Sequence, residues 1–225
     1  MAKEYKKVII AIIVLVLIIG AGVFIYYQNT KLTPEQKELF SLPEGVELTQ
    51  EQKMEYDAAR TALEENPNDA LALIIIAQIK YQVQDLDGAI KAYSGALEIQ
   101  PTNTSILNNL GDIYRQKRDY EKSAGMYRKI IETNPKWINA YRELVDIYYY
   151  YISDKYPEME ELLLTGIEKN KEFGGEAPVD FYSMLAVFYD RTENVAKAIE
   201  YFEKVLELTP ENDSAKIRLE ELKQL

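Results

Sequence analysis

Apolar and polar positions recur along this chain with a period of 34 residues, marked by the prolines Pro67, Pro101 and Pro135. Each period contains two apolar positions three residues apart, the spacing of one turn along a helix face. The first position holds Leu73, Leu107, Tyr141 and Tyr182, and the second holds Ile76, Leu110, Leu144 and Leu185. The pattern therefore predicts one amphipathic helix in each period, with these residues in its buried face.

A second helix is predicted in the other half of each period. Small residues follow the second apolar position and recur near the start of this second helix, where they let two helices approach closely. They are Ala77, Gly111 and Ala186, then Ala89, Ser123 and Ala198, with the aromatics Tyr93, Tyr127 and Phe202 four residues later. Each period is therefore predicted to be a pair of antiparallel helices, close together at the small residues and filled by rings elsewhere.

The period 104–137 carries the residues most typical of a known repeat. They are Leu107, Leu110, Gly111, Tyr114, Tyr120, Tyr127 and Pro135. At these positions the chain resembles the tetratricopeptide repeat. The resemblance covers residues 70–103, 104–137 and 179–212 well, and 138–178 poorly. It implies an all-α fold, a tetratricopeptide-type helical solenoid, which offers a binding surface more readily than a reaction centre.

The solenoid is predicted to cover residues 48–225, with incomplete parts at both ends. Residues 48–69 form a partial unit with one helix. Residues 213–225 form a capping helix that covers the apolar face of the last complete unit. Before the solenoid, residues 28–47 form a polar linker and spacer, with a helix start at Pro34.

The unit 138–178 departs from the pattern, because it is seven residues longer than the others and lacks the closing proline. Its small positions hold Val145 and Met159. Aligning Met159 with the second helix places two extra residues in the turn 153–157 and five in the loop 172–178. The loop is interpreted either as a tolerated insertion or as a specificity loop anchored by its phenylalanine.

A long apolar run precedes the repeats. From Val8 to Tyr27 there is no charged residue, and fourteen of the twenty residues are Ile, Val, Leu or Phe. A helix of this length spans about 30 Å, the thickness of the hydrocarbon core of a bilayer. The run is longer than that of a cleaved signal peptide, and bulky residues end it where a small-residue cleavage site would stand. Residues 8–27 are therefore predicted to be a single transmembrane signal anchor.

Charges beside the predicted anchor indicate its orientation. Residues 1–7 contain Lys3, Lys6 and Lys7 against one glutamate. Because basic residues favour the cytoplasmic side, this tail is predicted to be cytoplasmic and the repeats extracytoplasmic, in a periplasm or extracellular space. The net charge of the whole chain is −11, which disfavours binding to nucleic acid and to anionic lipid headgroups.

Two residue types that are common in catalytic and metal sites are missing from the sequence. It contains no histidine and no cysteine, which removes the commonest general base, thiol nucleophiles and the usual zinc ligands. It also has no glycine-rich phosphate loop and no serine nucleophile motif. Asp85 and Asp87 are interpreted as helix caps instead of a divalent-ion site. We therefore predict no enzymatic activity, no cofactor and no metal.

The resemblance implies where a partner would bind. In tetratricopeptide proteins the first helix of each repeat lines a concave groove through five of its positions. Ten residues at these positions are predicted to form a peptide-binding groove: Ile74, Gln78, Tyr81, Asn108, Asp112, Arg115, Arg142, Asp146, Tyr149 and Ser183. The carboxylate clamp of chaperone-binding members is not reproduced, because Asp112 and Asp146 would repel a carboxylate.

Four consecutive tyrosines, 148–151, fall at the end of one first helix. Tyr148 has the repeat position of Tyr114 and Tyr189, so we expect it to pack inside its unit. The next two tyrosines are predicted to face the groove and the last one the opposite side. For the groove-facing pair, surface packing and ligand contact are both open interpretations.

Together these features predict a single-span, membrane-anchored adaptor that binds a protein or peptide in the groove of its repeats. An accessory role in protein export or envelope assembly is one expected setting, by analogy of fold. Two alternatives are a self-associating scaffold, in which the chain is a homo-oligomer, and a docking platform that faces the cytoplasm. The predicted partners are a protein or peptide and, through the N-terminal helix, a membrane, but not nucleic acid.

Overall fold

The computed structural model describes residues 34–172 and 179–225. These residues form helices joined by turns, and no β-strand occurs among them. The predicted all-α solenoid is therefore confirmed for this part of the chain. The predicted tail and anchor, including Val8 to Tyr27, lie outside the described residues, as does most of the loop 172–178. Within the described ranges, no helix combines the length and apolar character that a membrane crossing requires.

The chain divides into two compact units, one ending at Pro101 and the other beginning at Thr102. The helices of the first unit are α1 (Pro34–Leu39), α2 (Gln50–Glu65), α3 (Ala70–Gln82) and α4 (Leu86–Ile99). α2 packs on α3, and α3 packs on α4. The short turns between them make these neighbours antiparallel.

The second unit contains seven α-helices within its described residues. They are α5 (Thr104–Gln116), α6 (Tyr120–Thr133), α7 (Ile138–Tyr150), α8 (Glu158–Glu172), α9 (Val179–Arg191), α10 (Val195–Leu208) and α11 (Asp213–Leu222). A 3₁₀ turn, Ser153–Lys155, connects α7 to α8. The pairs α5–α6 and α9–α10 pack closely, whereas α8 packs more extensively on α9 than on α7. The divergent unit is therefore the least regular helix pair of the second unit.

Short polar side chains determine where most of the helices begin. The side chain of each capping residue accepts a hydrogen bond from a backbone N–H in the first helical turn. The caps with this bond are Thr49, Asp69, Asp85, Asn103, Asp119, Asn194 and Asn212. In three repeats the turn between the helices also has a left-handed residue: Gln84, Arg118 and Glu193, with φ of 63°, 62° and 59°. The longer turn after α7 uses the 3₁₀ turn instead.

The repeated apolar positions form the cores of the units. Ile76, Leu110, Leu144 and Leu185 are all buried. The small positions allow close packing, since a Cβ at Gly111 would lie 2.8 Å from the ring of Tyr127. In the divergent pair Val145 is half-buried, and the small residue at the close contact is Gly166 of α8, where a Cβ would meet the ring of Phe181. The repeat pattern did not reveal Gly166, because the equivalent positions of α4, α6 and α10 hold Ala96, Ile130 and Val205, which are not uniformly small.

The described part of the predicted linker is packed on the first unit. α1 begins at Pro34, where the sequence predicts a helix start, and Leu39 is only 6% exposed. The ammonium of Lys80, itself 2% exposed, donates to the carbonyl of Ser41 at 2.5 Å and pairs with Asp85 at 2.7 Å. This segment, residues 34–47, is called the connector below. It is part of the first unit's fold, not a free spacer.

Candidate peptide-binding site

Arginine–carboxylate pairs join the first helices of successive repeats in the second unit. Arg115 of α5 lies 3.2 Å from Glu143 of α7. Arg142 of α7 donates to Asp180 of α9 at 2.7 Å. Both arginines are predicted groove residues, and both already pair within the chain. The face formed by α5, α7 and α9 therefore offers less free positive charge than the sequence indicates.

The same arrangement continues onto the last helix. Arg218 of α11 donates two hydrogen bonds to Asp190 of α9, each 2.7 Å long. This two-pronged geometry is the strongest form of an arginine–carboxylate contact. It ties α11 to α9, as expected of a helix that covers the end of the solenoid.

A hydrogen-bond network surrounds Asp112, a predicted groove residue. Its carboxylate accepts from Asn108 at 3.0 Å, from the hydroxyl of Tyr127 at 2.8 Å and from Arg115 at 3.2 Å. Burial and the bond to Asp112 raise the pKa of Tyr127 above its ordinary value. Asp112 therefore holds a fully buried core ring in place, so it has a structural role that the repeat register did not predict.

Acidic groups crowd the space between α5 and α7. Burial raises the pKa of the Glu143 carboxyl above its ordinary value, Arg115 opposes this shift, and the nearby charges of Asp112 and Asp146 add to it. Three carboxyl groups thus lie near two guanidinium groups, and one of these, that of Arg142, is paired with Asp180. This part of the face is suited to cationic or hydrogen-bond-donating groups and unsuited to anions.

A pocket of about 260 Å³ lies between α7 and α9 and includes the turn before α8. Its lining residues are Arg142, Val145, Asp146, Tyr156, Ser183, Met184, Val187, Phe188 and Arg191. Three of the ten predicted groove residues, Arg142, Asp146 and Ser183, are brought together here. Asp146 is exposed and has no hydrogen bond or ion pair among the described residues, whereas Ser183 donates to the carbonyl of Val179 at 3.0 Å.

An aromatic cluster borders this α7–α9 pocket. The guanidinium of Arg191 lies 3.8 Å from the centre of the Tyr149 ring. Tyr149 and Tyr156 have ring centres 5.1 Å apart, and Tyr156 lies at the same distance from Phe188. Tyr150 contacts Tyr149 and remains 59% exposed. Sequence reasoning missed Tyr156 and Phe188, although the two extra residues in the turn 153–157 were a signal that something new projects there.

The other tyrosines of the run have the environments expected from their register. Tyr148 is buried and its hydroxyl accepts from Arg128 at 2.7 Å, which confirms internal packing. Tyr151 stacks on Tyr120 with ring centres 3.9 Å apart and planes 5° from parallel. Its ring centre also lies 6.2 Å from that of Tyr150, which connects it to Tyr149.

The remaining predicted groove residues lie in the first unit. Ile74, Gln78 and Tyr81 are all on α3. Ile74 is half-buried, while Gln78 and Tyr81 are exposed. Their role in a shared groove stays a prediction.

Comparison with known proteins identifies the repeats. A family model described as TPR repeat matches residues 77–117, and models described as tetratricopeptide repeat match residues 104–136 and 179–212. The chain is also similar to the "Protein CTR9 homolog" of Arabidopsis thaliana, with 23% identity over 154 residues. That match covers 68% of this chain and only 14% of the relative, so the relative is much longer.

Solved structures show the same architecture. The MamA protein has 24% sequence identity and a TM-score of 0.53, with 69% of this chain and 81% of that chain covered. YrrB, described as a TPR protein with an unusual peptide-binding site, has 20% identity and a TM-score of 0.51, with 71% and 79% covered. At these identities the likeness shows the fold alone. The chain belongs to the tetratricopeptide repeat family.

Proposed function

We propose that this protein is an adaptor that binds a short peptide segment of a protein partner in the α7–α9 pocket. The observation that carries the proposal is the meeting of a pocket of about 260 Å³ with a cluster of aromatic rings at one edge. Tyrosine rings provide a large contact area at low cost in side-chain entropy, and they are enriched in binding interfaces. The pocket is too small for a folded domain and large enough for one or two side chains.

The chemistry of the α7–α9 pocket selects among peptide groups. Val145, Val187 and Phe188 provide an apolar wall. Asp146 provides a carboxylate without a partner among the described residues, which can accept from a peptide N–H or from a cationic side chain. Arg142 is already paired with Asp180. The preferred segment therefore carries an apolar side chain next to a hydrogen-bond donor.

The cellular placement is part of the same proposal. Val8 to Tyr27 anchors the protein in a membrane, residues 1–7 stay in the cytoplasm, and the repeats lie on the extracytoplasmic side, accessory to protein export or envelope assembly. The uncharged run of twenty residues and the lysines before it support this orientation. A phosphatase fused after Leu225 should be active, and a fluorescent reporter that matures only in the cytoplasm should be dark. The reverse pattern would make the protein a docking platform in the cytoplasm.

Partner recovery tests the pocket itself. Val187 is 38% exposed and lines the pocket, so Val187→Glu adds a charge beside Asp146 without emptying a core. We expect this variant to lose at least tenfold in recovery of the partner crosslinked and co-purified from native membranes. Ile217→Glu is the matched control, since Ile217 is 60% exposed on α11 and does not line the pocket. Equal recovery with both variants would exclude the α7–α9 pocket as the binding site.

Self-association is the second candidate, favoured by the two exposed tyrosines at the end of α7. Tyr150 is 59% and Tyr151 51% exposed. If the protein is a scaffold built from its own copies, sedimentation of the full chain in mild detergent should depend on concentration. Replacing both tyrosines by alanine should then shift it towards the monomer.

A further inference from the structure

The first unit already binds a short segment of its own chain, in a surface of α2, α3 and α4 that we call the connector groove. Three basic residues contact the segment: the exposed Arg60 and Lys91 at the rim of the groove, and the buried Lys80. Leu39 is buried. The contacts are Arg60 against the Phe40 ring at 5.7 Å, Lys80 to the Ser41 carbonyl at 2.5 Å, and Lys91 to the Glu38 carboxylate at 2.6 Å. An apolar side chain in the groove and polar contacts at the rim are thus one way in which this fold binds a segment.

Repeat spacing identifies the equivalent surface of the second unit. α6 and α7 follow α2 and α3 by 68 residues, which is two periods, and the longer turn makes the offset 70 for α8 relative to α4. The buried Met159 of α8 then matches the buried Ala89 of α4. With these offsets, the counterparts of Arg60, Lys80 and Lys91 are Arg128, Tyr148 and Glu161.

All three counterparts line one groove of about 390 Å³ formed by α6, α7 and α8, which we call the open groove. Its volume is within the range of ligand-binding clefts. Ile131, Leu144 and Leu162 give it apolar walls. Tyr141 also lines it, and the buried hydroxyl of Tyr141 has no hydrogen-bond partner among the described residues. No segment of the described residues occupies the open groove in the way that the connector occupies the connector groove.

The rim charges of the two grooves are opposite at the key position. Lys91 pairs with Glu38 of the connector, and its counterpart Glu161 is an exposed acid. Glu132, Glu158 and Lys169 also line the open groove, and Glu158 is paired with Lys155 at 2.7 Å, so the acid at the position of Lys91 is Glu161. The guanidinium of Arg128 is engaged with the hydroxyl of Tyr148. Where the connector groove attracts an acidic residue, the open groove therefore attracts a basic one.

We infer that the open groove binds a short amphipathic segment of a partner protein, in the manner in which the connector groove binds residues 38–41. The segment carries an apolar side chain in the place of Leu39 and a basic side chain in the place of Glu38, facing Glu161. This surface shares no lining residue with the α7–α9 pocket, so the inference stands independently of the proposed function. The connector of a second copy is the wrong occupant, because its Glu38 would face Glu161 and like charges repel.

Peptide binding tests the charge rule. Two fluorescently labelled peptides with the sequence of residues 33–44 are compared, one natural and one with Glu38→Lys, and each is titrated with the full-length chain in mild detergent. We expect the Glu38→Lys peptide to bind with a Kd at least tenfold lower than the natural peptide. The connector groove cannot account for this preference, because its own connector occupies it and its Lys91 repels the added lysine. Equal binding of the two peptides would overturn the proposal.

Two variants, with one control, test whether the peptide binds in the open groove. Glu161→Lys restores the charge found in the connector groove, so it should reverse the peptide preference. Thr165→Trp fills the open groove from α8 and should abolish binding of the Glu38→Lys peptide, whereas Thr192→Trp, outside the groove, should not. Circular dichroism checks that each variant is folded. A preference that Glu161→Lys does not change, or tighter binding of the natural peptide with concentration-dependent dimerisation, would refute the inference.

Discussion

The connector groove of the first unit and the open groove of the second unit lie at equivalent positions of the repeat pattern. Among the described residues, only the connector groove is occupied. The largest difference lies at one interior position. It holds Lys80 in α3, where the other three first helices hold Tyr114, Tyr148 and Tyr189. In the first unit the ammonium reaches out to the connector, and in the second the Tyr148 ring packs in the core. A lysine instead of a tyrosine at this packing position therefore allows the repeat to bind an additional segment of the chain.

Lys80 and Tyr148 differ in the free-energy cost of burying their polar groups, and this difference explains why Lys80 requires the contact with the connector. Tyr148 needs one hydrogen-bond partner for its hydroxyl, which Arg128 supplies. A buried ammonium loses its hydration and is tolerated only with good compensating partners. Asp85 and the Ser41 carbonyl are those partners. Lys80, Asp85 and the connector therefore stabilise one another.

The largest effect is expected from Asp85→Ala, because it leaves the buried Lys80 without a counter-charge. Breaking one side of a buried ion pair typically costs about 3–5 kcal/mol. Asp119→Ala is the matched control, since Asp119 caps α6 as Asp85 caps α4 but pairs with the exposed Lys122. Loss of that cap should cost about 1 kcal/mol. Urea unfolding of both variants measures the difference, and equal losses would show that Lys80 is not held as described.

A smaller effect is expected from Gly111→Ala in the second unit. The first unit has the fully buried Ala77 at this position, but in the second a Cβ would lie 2.8 Å from the Tyr127 ring, which Asp112 holds. Overpacking of this kind costs about 1–3 kcal/mol. Gly125→Ala is the control, because a Cβ there meets nothing within 4 Å, and better helix propensity should stabilise by up to about 1 kcal/mol. Thermal unfolding should give opposite signs for the two variants.

Lys80→Tyr transfers the second unit's residue into the first and should release the connector. The lost hydrogen bond from a charged group corresponds to about 1.5 kcal/mol of local stability. Chymotrypsin should then cleave after Phe40 roughly tenfold faster, a factor that equals about 1.4 kcal/mol. Tyr148→Lys in the second unit should leave this cleavage rate unchanged. Unaltered cleavage in the Lys80 variant would mean that other contacts hold the connector.

The smallest effect concerns the exposed pair at the rim of the connector groove. The hydrogen bond and charge of Lys91 lower the pKa of Glu38 below its ordinary value of 4.5. A lowered carboxyl pKa contributes stability that is present above pH 4.5 and is lost as the pH falls through the lowered pKa. Carboxyl NMR titration should show this shift for Glu38 and its disappearance in Lys91→Gln. A titration that Lys91→Gln does not alter would mean that the pair does not form in solution.

The sequence by itself determined the repeats, their helices and most of their cores. Positions such as Ile76 and Leu110 could be predicted because helix periodicity is local and the period of 34 residues repeats it. The internal packing of Tyr148 followed from its register alone. The same local logic failed at Gly166, because its packing partner Phe181 comes from the next repeat.

Only the tertiary structure determined which residues of different helices come into contact. Lys80 meets Ser41 across 39 positions of sequence, and Arg142 meets Asp180 across 38. No periodic pattern specifies such a pair, because its geometry depends on how separate helices pack. Tyr156 enters the wall of the α7–α9 pocket for the same reason, since the turn that carries it is irregular. The repeat pattern therefore predicts which residues face the core of each helix pair. Only the packing of the helices decides which residues that are distant in the sequence come into contact.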